Sequence, residues 1–335
     1  MKTLIHLPFR SRILPLLASL LLVATVSSAQ EKQFDRIVVF GSSLSDSGNA
    51  FVLLSNPQDY GFDESCNLGT PANMPPYDKL DDFLIPDGTY AKGGHHVSNG
   101  ATWVEQFARG RGLSGNTKPA LGNKGTKASN YAVGGARAVD YPCRFNLSNQ
   151  LAAYLEDGIL ATEKTLFIIE IGANDVRDAL ATQDPNIIGY ALSNIGNAIG
   201  TLYSQGARKF LLVNVPAIGE TPAVKMIDII APGAAAAANA LTQGFNSNLV
   251  PLLNFLNATL PEVDIRMFDL YTALNEIIAD PENFGISNTQ DACVTPNVAP
   301  FTCKNPDSYL FWDGIHPTKV VHAIMAQRAA EVLND

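Results

Sequence analysis

The sequence predicts an α/β fold in which a parallel sheet is covered by helices on both faces. Four short apolar runs, at residues 36–40, 165–171, 209–215 and 263–269, are separated by longer segments with helical periodicity. The first three runs are apolar at most positions, which is typical of strands buried on both faces. Strands that alternate with helices in this way form parallel sheets.

The first run is rich in β-branched residues and stops abruptly at Gly41, which gives the backbone freedom to turn. Small polar residues follow it, including Asp46, Ser47 and Asn49, and these residue types cap helices and hold turns. The pattern predicts a buried strand whose carboxyl end delivers serines into a polar turn before a helix. In open α/β sheets this edge is where sites are built.

Apolar residues at helical spacing predict the intervening helices. The helix at residues 102–111 has one apolar face, formed by Trp103, Val104, Phe107 and Ala108. Further helices are predicted at residues 147–160, 187–205, 234–256, 270–279 and 317–333. The alanine run at 234–238 is a strong helix former, and Pro317 suits the first turn of the last helix.

The first 29 residues have the pattern of a signal peptide. Basic residues precede an apolar run at 13–26, and the small residues Ser27, Ser28 and Ala29 follow it. The run is short for a spanning helix, which needs about 20 apolar residues. We therefore expect cleavage near Ala29 and secretion, either to the extracellular space or to the periplasm. An uncleaved membrane anchor is the alternative.

The whole chain carries a formal net charge of −9. Cleavage after residue 29 removes three basic residues and no acidic ones, which takes −9 to −12. A chain this acidic lacks the positive surface that nucleic-acid binding requires. Anionic membranes repel it on average, although a local patch can still touch a lipid surface transiently. We expect no nucleic-acid partner and no obligate protein partner.

Residues 30–335 are expected to form a single domain, because α/β folds often use this length as one. Hydrophobic residues make up 46% of the chain, so a large core is available. A long irregular segment at about residues 50–100 carries several prolines and scattered aromatics. Long loops of this kind are usually functional or disordered, and the aromatics favour packing. We interpret it as an insertion that lines or covers the site entrance. A second long loop is predicted at 281–307.

The chain contains four cysteines, all in loop-like stretches. In an exported chain an even number of cysteines favours disulfides. The favoured pair is Cys293 with Cys303, because it closes a short loop, and Cys66 with Cys143 then follows by elimination. No metal site is expected, because no pair has the close spacing of a zinc site and the histidines lie elsewhere in the sequence.

Candidate catalytic residues lie at both ends of the chain. Ser43 is in the polar turn after the first predicted strand, and Asp313 and His316 are three residues apart in a loop punctuated by Gly314 and Pro317. A carboxylate in such a loop can reach the imidazole Nδ1 proton and hold Nε2 toward a nucleophile. A serine needs this arrangement, because its free hydroxyl is a weak nucleophile.

Four blocks of the sequence resemble the motifs of the GDSL/SGNH lipase and esterase superfamily. They are residues 40–46 (FGSSLSD), 130–136 (NYAVGGA), 171–175 (IGAND) and 313–318 (DGIHPT). The blocks occur in the order of that family and span nearly the whole mature chain. Residues 311–313 (FWD) and 98–100 (SNG) are similar to the secreted phospholipase, lecithinase and haemolysin branch.

The resemblance implies a three-layer α/β/α, flavodoxin-like fold and ester hydrolysis without a metal or organic cofactor. It implies that Ser43 is the nucleophile, His316 the base and Asp313 the acid that orients the base. It also implies an oxyanion hole formed by the backbone N–H groups of Ser43 and Gly135 and by the Asn174 side chain.

One position departs from the family pattern. The family usually has Asp before its serine, and this chain has Ser42. That aspartate is not a member of the family's triad, so the chemistry is expected to remain. The change removes a negative charge and a hydrogen-bond acceptor beside the nucleophile. We therefore expect the change to affect the level of activity and the rigidity of the turn.

Three functions are considered. The favoured function is a secreted hydrolase that cleaves carboxylic esters of lipids, phospholipids or lysophospholipids, or other short-to-medium acyl esters, through an acyl-enzyme on Ser43. The second is an acetylesterase for polysaccharides, or a hydrolase of small choline-like esters, since the family includes such activities. The third is an inactive binding protein on the same fold. Retention of Ser43, Asp313 and His316 together argues against the third function.

Overall fold

The computed structural model describes residues 1, 33–63, 65–66, 96–123, 125, 127–294, 300 and 302–334. Within it, Gln33–Asp335 forms one compact unit. The predicted signal peptide, apart from Met1, lies outside the described residues. So does much of the predicted insertion, at residues 67–95.

The described residues contain a central sheet, a small second sheet and a series of helices. The central strands are β1 (Arg36–Gly41), β2 (Thr165–Glu170), β3 (Lys209–Val213) and β4 (Asp264–Phe268), and the second sheet pairs β5 (Asn288–Ala292) with β6 (Tyr309–Phe311). The helices are α1 (Asn49–Ser55), α2 (Trp103–Gly110), α3 (Leu147–Glu156), α4 (Ala173–Thr182), α5 (Asn186–Ser204), α6 (Pro222–Ile230), α7 (Ala234–Thr259), α8 (Leu270–Ala279) and α9 (Lys319–Asn334). Within these described parts, no helix is both long and apolar enough to span a bilayer.

The central sheet has the order β1-β2-β3-β4, and all neighbouring strands are parallel. Beyond β1, the segment 129–133 runs along the sheet edge, and Tyr131 N–H donates to the Val39 carbonyl at 2.7 Å. Gly41 lies opposite Glu170 in the strand register, and Glu170 lies opposite Val213. The carboxyl ends of these strands therefore meet at one edge of the sheet, where the chain enters the turn that carries Ser43.

Alternate side chains of the strands pack against different helices. Val38, Phe40, Phe167, Ile169, Phe210 and Leu212 pack with buried residues of α3, α4, α5 and α7. Ile37, Val39, Leu166, Ile168, Leu211 and Val213 pack with α2, α8 and α9. A parallel sheet with helices on both faces is a three-layer α/β/α arrangement, so the predicted fold class is confirmed.

Most predicted elements form within a few residues of their predicted bounds, and three differences have local causes. The predicted helix at 147–160 ends at Glu156, because Gly158 has a φ of +63° and leaves the helical conformation. Helix α1 is the helix predicted after the polar turn, and it extends into the start of the segment predicted to be irregular, where the Asp46 carboxylate accepts N–H groups from its first turn. Helix α6 was not predicted from the sequence. It starts with Thr221 as its N-cap and has a proline in its first turn.

Both favoured disulfides are present, Cys66 with Cys143 and Cys293 with Cys303. The predicted loop at 281–307 includes β5, which the sequence did not indicate. Cys293 N–H donates to the Phe311 carbonyl at 3.1 Å, and Val294 N–H donates to the Trp312 carbonyl at 2.8 Å. The second disulfide therefore braces the segment that leads directly into Asp313.

Candidate active site

The fold brings Ser43, Asp313 and His316 together although 270 residues separate Ser43 from Asp313. His316 Nε2 lies 2.7 Å from Ser43 Oγ, and His316 Nδ1 lies 2.7 Å from Asp313 Oδ2. Ser43 is half-buried, whereas His316 and Asp313 are 3% and 1% exposed. The three side chains form a continuous hydrogen-bonded chain from a buried carboxyl to a hydroxyl at the surface of a pocket.

The loop around Asp313 holds the imidazole in place. Asp313 Oδ1 accepts the backbone N–H groups of Ile315, at 2.9 Å, and of His316, at 2.8 Å. Trp312 N–H donates to the His316 carbonyl at 2.7 Å and closes the loop. Because one carboxylate oxygen is committed to the backbone, the other is directed to His316 Nδ1. This arrangement favours the tautomer in which Nε2 is free to accept the Ser43 proton.

Asp46 ties the Ser43 turn to the loop that holds Gly135. Its carboxylate accepts backbone N–H groups from Gly48, Asn49, Ala50 and Gly134, the last at 2.8 Å. Burial raises the pKa of Asp46, while these four hydrogen bonds act to lower it. The sequence indicated only a cap or turn residue here. The structure adds that Asp46 connects the two loops beside Ser43.

The three predicted oxyanion-hole contributors lie around this junction. Gly135 has a φ of +78°, a conformation that favours glycine, and its neighbour Gly134 lies against Ser43. Asn174, in the first turn of α4, is 5% exposed and lines the same pocket as Ser43 and His316. Asn174 and Ser43 therefore share one pocket, and Gly135 follows directly after the glycine that lies against Ser43.

The Asn174 side chain is held on both sides. Its Nδ2 donates to the Ala136 carbonyl at 2.9 Å, and its Oδ1 accepts from Arg177 Nη1 at 2.9 Å. An amide has two N–H donors, and the hydrogen bond to Ala136 uses one of them. Arg177 was not predicted as a site residue. Its position three residues after Asn174 on a helix is the sequence signal that points to this contact.

Asp175 and Asp178, two carboxyl residues of α4, support the Gly135 loop. Asp175 accepts the backbone N–H groups of Ala138 and Val139, both at 2.9 Å, and burial raises its pKa to about 6. Asp178 forms a two-point ion pair with Arg137, whose Nη1 also donates to the Gly135 carbonyl. Charged side chains of α4 thus fix the loop that presents Gly135.

An apolar pocket opens beside Ser43. Its polar lining includes Ser43, Asn174, Arg177 and His316. Its apolar lining includes Pro216, Ile218, Leu270, Leu274, Val321 and Met325, which belong to segments at the carboxyl edge of the sheet and to α8 and α9. In the described parts of the chain, no group of three or more His, Cys, Asp or Glu side chains could hold a metal ion. The pocket is suited to an apolar group whose polar end meets Ser43.

We expect Asn174→Ala to lower kcat for ester hydrolysis about 100- to 1000-fold, the usual cost of losing one oxyanion-hole donor. KM should change little, because the lost N–H is needed mainly when the carbonyl oxygen becomes charged. Steady-state kinetics on a soluble ester would check both values. Asn197→Ala, on an exposed position of α5, is the matched control and should leave kcat unchanged. Equal kcat values in the two variants would contradict the role of Asn174.

Glu170, buried at the end of β2, should make folding stability depend on pH. Burial raises its pKa from 4.5 to about 7, so the folded chain binds this proton more tightly than the unfolded chain. The stabilising contribution is therefore fully present below about pH 4.5 and is lost as the pH rises through about 7. The size of this loss is about 3 kcal/mol at most.

Urea unfolding of the wild type and of Glu170→Gln at pH 5 and pH 8 would measure this contribution. The free energy of unfolding of the wild type should fall relative to that of the variant as the pH rises. If the difference in the free energy of unfolding between the wild type and Glu170→Gln is the same at both pH values, the pKa of Glu170 lies near its ordinary range.

Comparisons with known proteins agree with this geometry. Residues 37–329 match the family model described as GDSL-like lipase/acylhydrolase. A GDSL esterase/lipase from Arabidopsis thaliana is 24% identical over 87% of this chain and 84% of its own length. A second one is 27% identical over 95% of this chain and 96% of its own. A phosphatidylcholine-sterol acyltransferase from Aeromonas hydrophila is 25% identical over 92% of this chain and 93% of its own.

The family match covers most of the chain and includes the Ser43 turn, the Gly135 loop, the start of α4 and the Asp313 loop. The resemblance that the four sequence blocks suggested is therefore confirmed. The chain belongs to the GDSL-like lipase/acylhydrolase family and is a carboxylic-ester hydrolase.

Proposed function

We propose that this protein is a secreted serine hydrolase that cleaves acyl esters of lipids through an acyl-enzyme on Ser43. The observation that carries the proposal is the hydrogen-bonded chain Asp313–His316–Ser43 at the mouth of an apolar pocket. The three hydrogen-bonded side chains supply an activated hydroxyl, and the pocket supplies a place for an acyl group.

The first half of the reaction forms the acyl-enzyme. His316 Nε2 takes the proton of Ser43 Oγ as the oxygen attacks the ester carbonyl, and Asp313 stabilises the resulting imidazolium. The carbonyl oxygen becomes negatively charged in the tetrahedral intermediate. Backbone N–H groups of Ser43 and Gly135 and the Asn174 amide donate to it. His316 then gives its proton to the departing alcohol, and the acyl group remains on Ser43.

The second half releases the acid. A water molecule takes the place of the alcohol, and His316 removes its proton as it attacks the acyl carbonyl. The same donors stabilise the second tetrahedral intermediate. Collapse of this intermediate returns the proton to Ser43 and frees the carboxylic acid, so the chain needs only substrate and water for turnover.

The pocket supports an acyl chain rather than a sugar as the group nearest Ser43. Its inner lining is apolar, with Leu270, Leu274 and Met325 among the residues that contribute. Apolar lining stabilises a buried hydrocarbon chain and gives few partners to hydroxyl groups. The relative named phosphatidylcholine-sterol acyltransferase further supports an acyl ester of a lipid as substrate.

Helix α6 supports transient contact with a lipid surface. Met226, Ile229 and Ile230 are 59%, 75% and 80% exposed. The helix is attached to the site, because its N-cap Thr221 lines the pocket and Ala223 N–H donates to the Gly314 carbonyl at 2.9 Å. Since the chain is acidic overall, a zwitterionic surface fits better than an anionic one. Exposed apolar side chains beside the pocket would bring the protein to the lipid surface that contains its substrate.

Secretion is supported by the two disulfides and by the signal-like start of the sequence. Cys66–Cys143 and Cys293–Cys303 account for all four cysteines. Disulfides form and persist in oxidising compartments and are rare in the cytosol of most organisms. We therefore place the mature protein outside the cytoplasm, after cleavage near Ala29.

The test is hydrolysis of a chromogenic ester series, from acetyl to long acyl, together with phosphatidylcholine vesicles. We expect kcat/KM to rise with acyl length and the vesicles to be hydrolysed. Changing Met226, Ile229 and Ile230 to Ser should lower the vesicle rate about tenfold, because burial of these side chains drives adsorption. The acetyl-ester rate should not change. Phe255→Ser, an exposed apolar residue of α7, is the control. Preference for acetyl esters or glycan acetates, with vesicles untouched, would overturn the lipid proposal.

A further inference from the structure

Glu170 is a buried carboxyl next to the proposed nucleophile that the mechanism above does not use. It is the last residue of β2 and is 3% exposed. In the strand register it lies opposite Gly41, two residues before Ser43. Burying an ionisable side chain is costly unless its oxygens have hydrogen-bond partners. The partners of Glu170 therefore indicate what the side chain does.

The first partner is Ser42. Its hydroxyl donates to Glu170 Oε1 at 3.1 Å and approaches Oε2 at 3.4 Å. Its backbone N–H donates to the Glu170 carbonyl at 3.0 Å and to Oε2 at 3.2 Å. Both polar groups of Ser42 that can donate are thus directed at one residue. The residue immediately before Ser43 is fixed to the neighbouring strand.

Ser45, on the other side of the nucleophile, lies close to the same carboxyl, since both Ser45 and Glu170 Oε2 border the space beside Gly41. The Ser45 hydroxyl accepts from Trp103 Nε1 at 3.0 Å and helps to keep the pKa of Glu170 from rising further. Ser45 N–H donates to the Ser42 carbonyl at 3.1 Å, so residues 42–45 form a closed turn. Ser43 is inside this turn. The Glu170 carboxyl therefore holds the start of this turn through Ser42, and the Ser45 N–H bond to Ser42 ties the end of the turn to its start.

Gly41 allows this approach. A Cβ atom at position 41 would lie 2.7 Å from the Glu170 carbonyl oxygen and 3.2 Å from Oε2. Both distances are too short for a side chain to be accommodated without movement of Glu170 or of the strand. The glycine that ends β1 therefore leaves the space through which Glu170 reaches the turn.

We propose that Glu170 is a positioning residue that holds the Ser42–Ser45 turn, so that the Ser43 hydroxyl faces His316 and the Ser43 N–H faces the oxyanion. This proposal rests on Ser43 being the nucleophile. It also explains how the turn is held although Ser42 stands where the family usually has Asp. The carboxyl beside the nucleophile comes from β2 instead of from the turn itself.

Three variants test the role. Glu170→Ala removes both acceptors, and we expect kcat to fall about a hundredfold, as a misplacement of about 1 Å in reacting groups produces. Glu170→Gln keeps one acceptor oxygen but places an NH₂ group against a donor, so kcat should fall about tenfold. KM should stay within about twofold in both, because the acyl pocket does not include Glu170. Ile199→Ala, in the core remote from the site, is a control for lost stability.

Moving the carboxyl from residue 170 to residue 42 distinguishes a role in positioning Ser43 from a general loss of stability. Ser42→Asp alone places two carboxyls at one site, where both cannot ionise, and kcat should fall at least about tenfold. Ser42→Asp combined with Glu170→Ser returns a single carboxyl to the turn from the other side. If the carboxyl position matters, this double variant should recover kcat to within about threefold of the wild type.

The outcomes separate this proposal from the proposed function. If Ser43→Ala is inactive while Glu170→Ala and Glu170→Gln keep kcat within twofold of the wild type, the hydrolase function stands and the role of Glu170 is wrong. A change confined to KM, or a double variant no better than Ser42→Asp, would also overturn that role. If Ile199→Ala loses as much kcat as Glu170→Gln at equal thermal stability, the effect is one of folding and the proposal fails. If Glu170→Ala does not fold, the kcat values of Glu170→Gln and of the double variant Ser42→Asp with Glu170→Ser still test the role of Glu170.

Discussion

Replacing Ser43 by Ala should reduce kcat for ester hydrolysis by about a millionfold, because the proposed mechanism has no other nucleophile. The Ser43 hydroxyl is 2.7 Å from His316 Nε2, so its removal leaves the base with nothing to activate. The variant should fold, since Ser43 is half-buried and alanine fits the same space. Substrate should still bind, because the apolar pocket is unchanged.

The measurement is hydrolysis of a chromogenic acyl ester by the wild type, Ser43→Ala and the control Ser55→Ala, whose serine is exposed on α1. A fluorophosphonate reagent, which reacts with activated serines, should label the wild type and the control once per chain and leave Ser43→Ala unlabelled. More than about one per cent residual activity in Ser43→Ala would exclude it as the sole nucleophile. If the folded wild type were inert toward all esters tested, the inactive binding protein would become the better proposal.

The central sheet could be predicted from the sequence because three of its four strands are nearly continuous apolar runs, whereas β4 mixes polar and apolar residues. That pattern has few other physical solutions in a chain of this size. The edge segment at 129–133 could not be predicted, because it is polar in part and joins β1 through a few backbone hydrogen bonds. Helix α6 was missed because Met226, Ile229 and Ile230 face solvent and do not form a buried apolar stripe.

The site residues also divide into those that the sequence could predict and those that it could not. Ser43, Asn174, Asp313 and His316 lie in motifs whose spacing along the chain is informative, and the structure brings them together. Glu170 is a polar residue at the end of an apolar strand, and its hydrogen-bond partner Ser42 is 128 residues away along the chain. No local pattern encodes such a contact. It becomes visible only when strand register places Gly41 beside Glu170.

Asp313→Asn should lower kcat about ten-thousandfold, although the side chain keeps its size. Asp313 Oδ1 accepts two backbone N–H groups, and Oδ2 accepts from His316 Nδ1. An asparagine has only one acceptor oxygen. If its NH₂ faced the two backbone donors, both would lose their acceptor in a buried site, so the oxygen should take that side. The NH₂ group would then face His316 Nδ1.

This arrangement reverses the tautomer of His316. Because the asparagine NH₂ donates to Nδ1, the ring proton must be on Nε2, the atom that faces Ser43 Oγ. A protonated Nε2 cannot accept the serine proton, and the base is lost while the geometry is kept. Asp307→Asn is the matched control, since Asp307 is exposed and pairs with Lys319 at the surface, and its kcat should stay within about twofold of the wild type.

Kinetics of the double variant would test whether the three residues act as a unit. If Asp313 acts only through His316 and Ser43, then adding Asp313→Asn to Ser43→Ala should cause no further loss, because the interaction it supports is already absent. A further loss of tenfold or more in the double variant would show that Asp313 contributes by another route, such as holding the loop of Ile315 and His316. Equal rates for the double variant and Ser43→Ala, together with the large loss in Asp313→Asn alone, would assign the carboxylate to orienting the base.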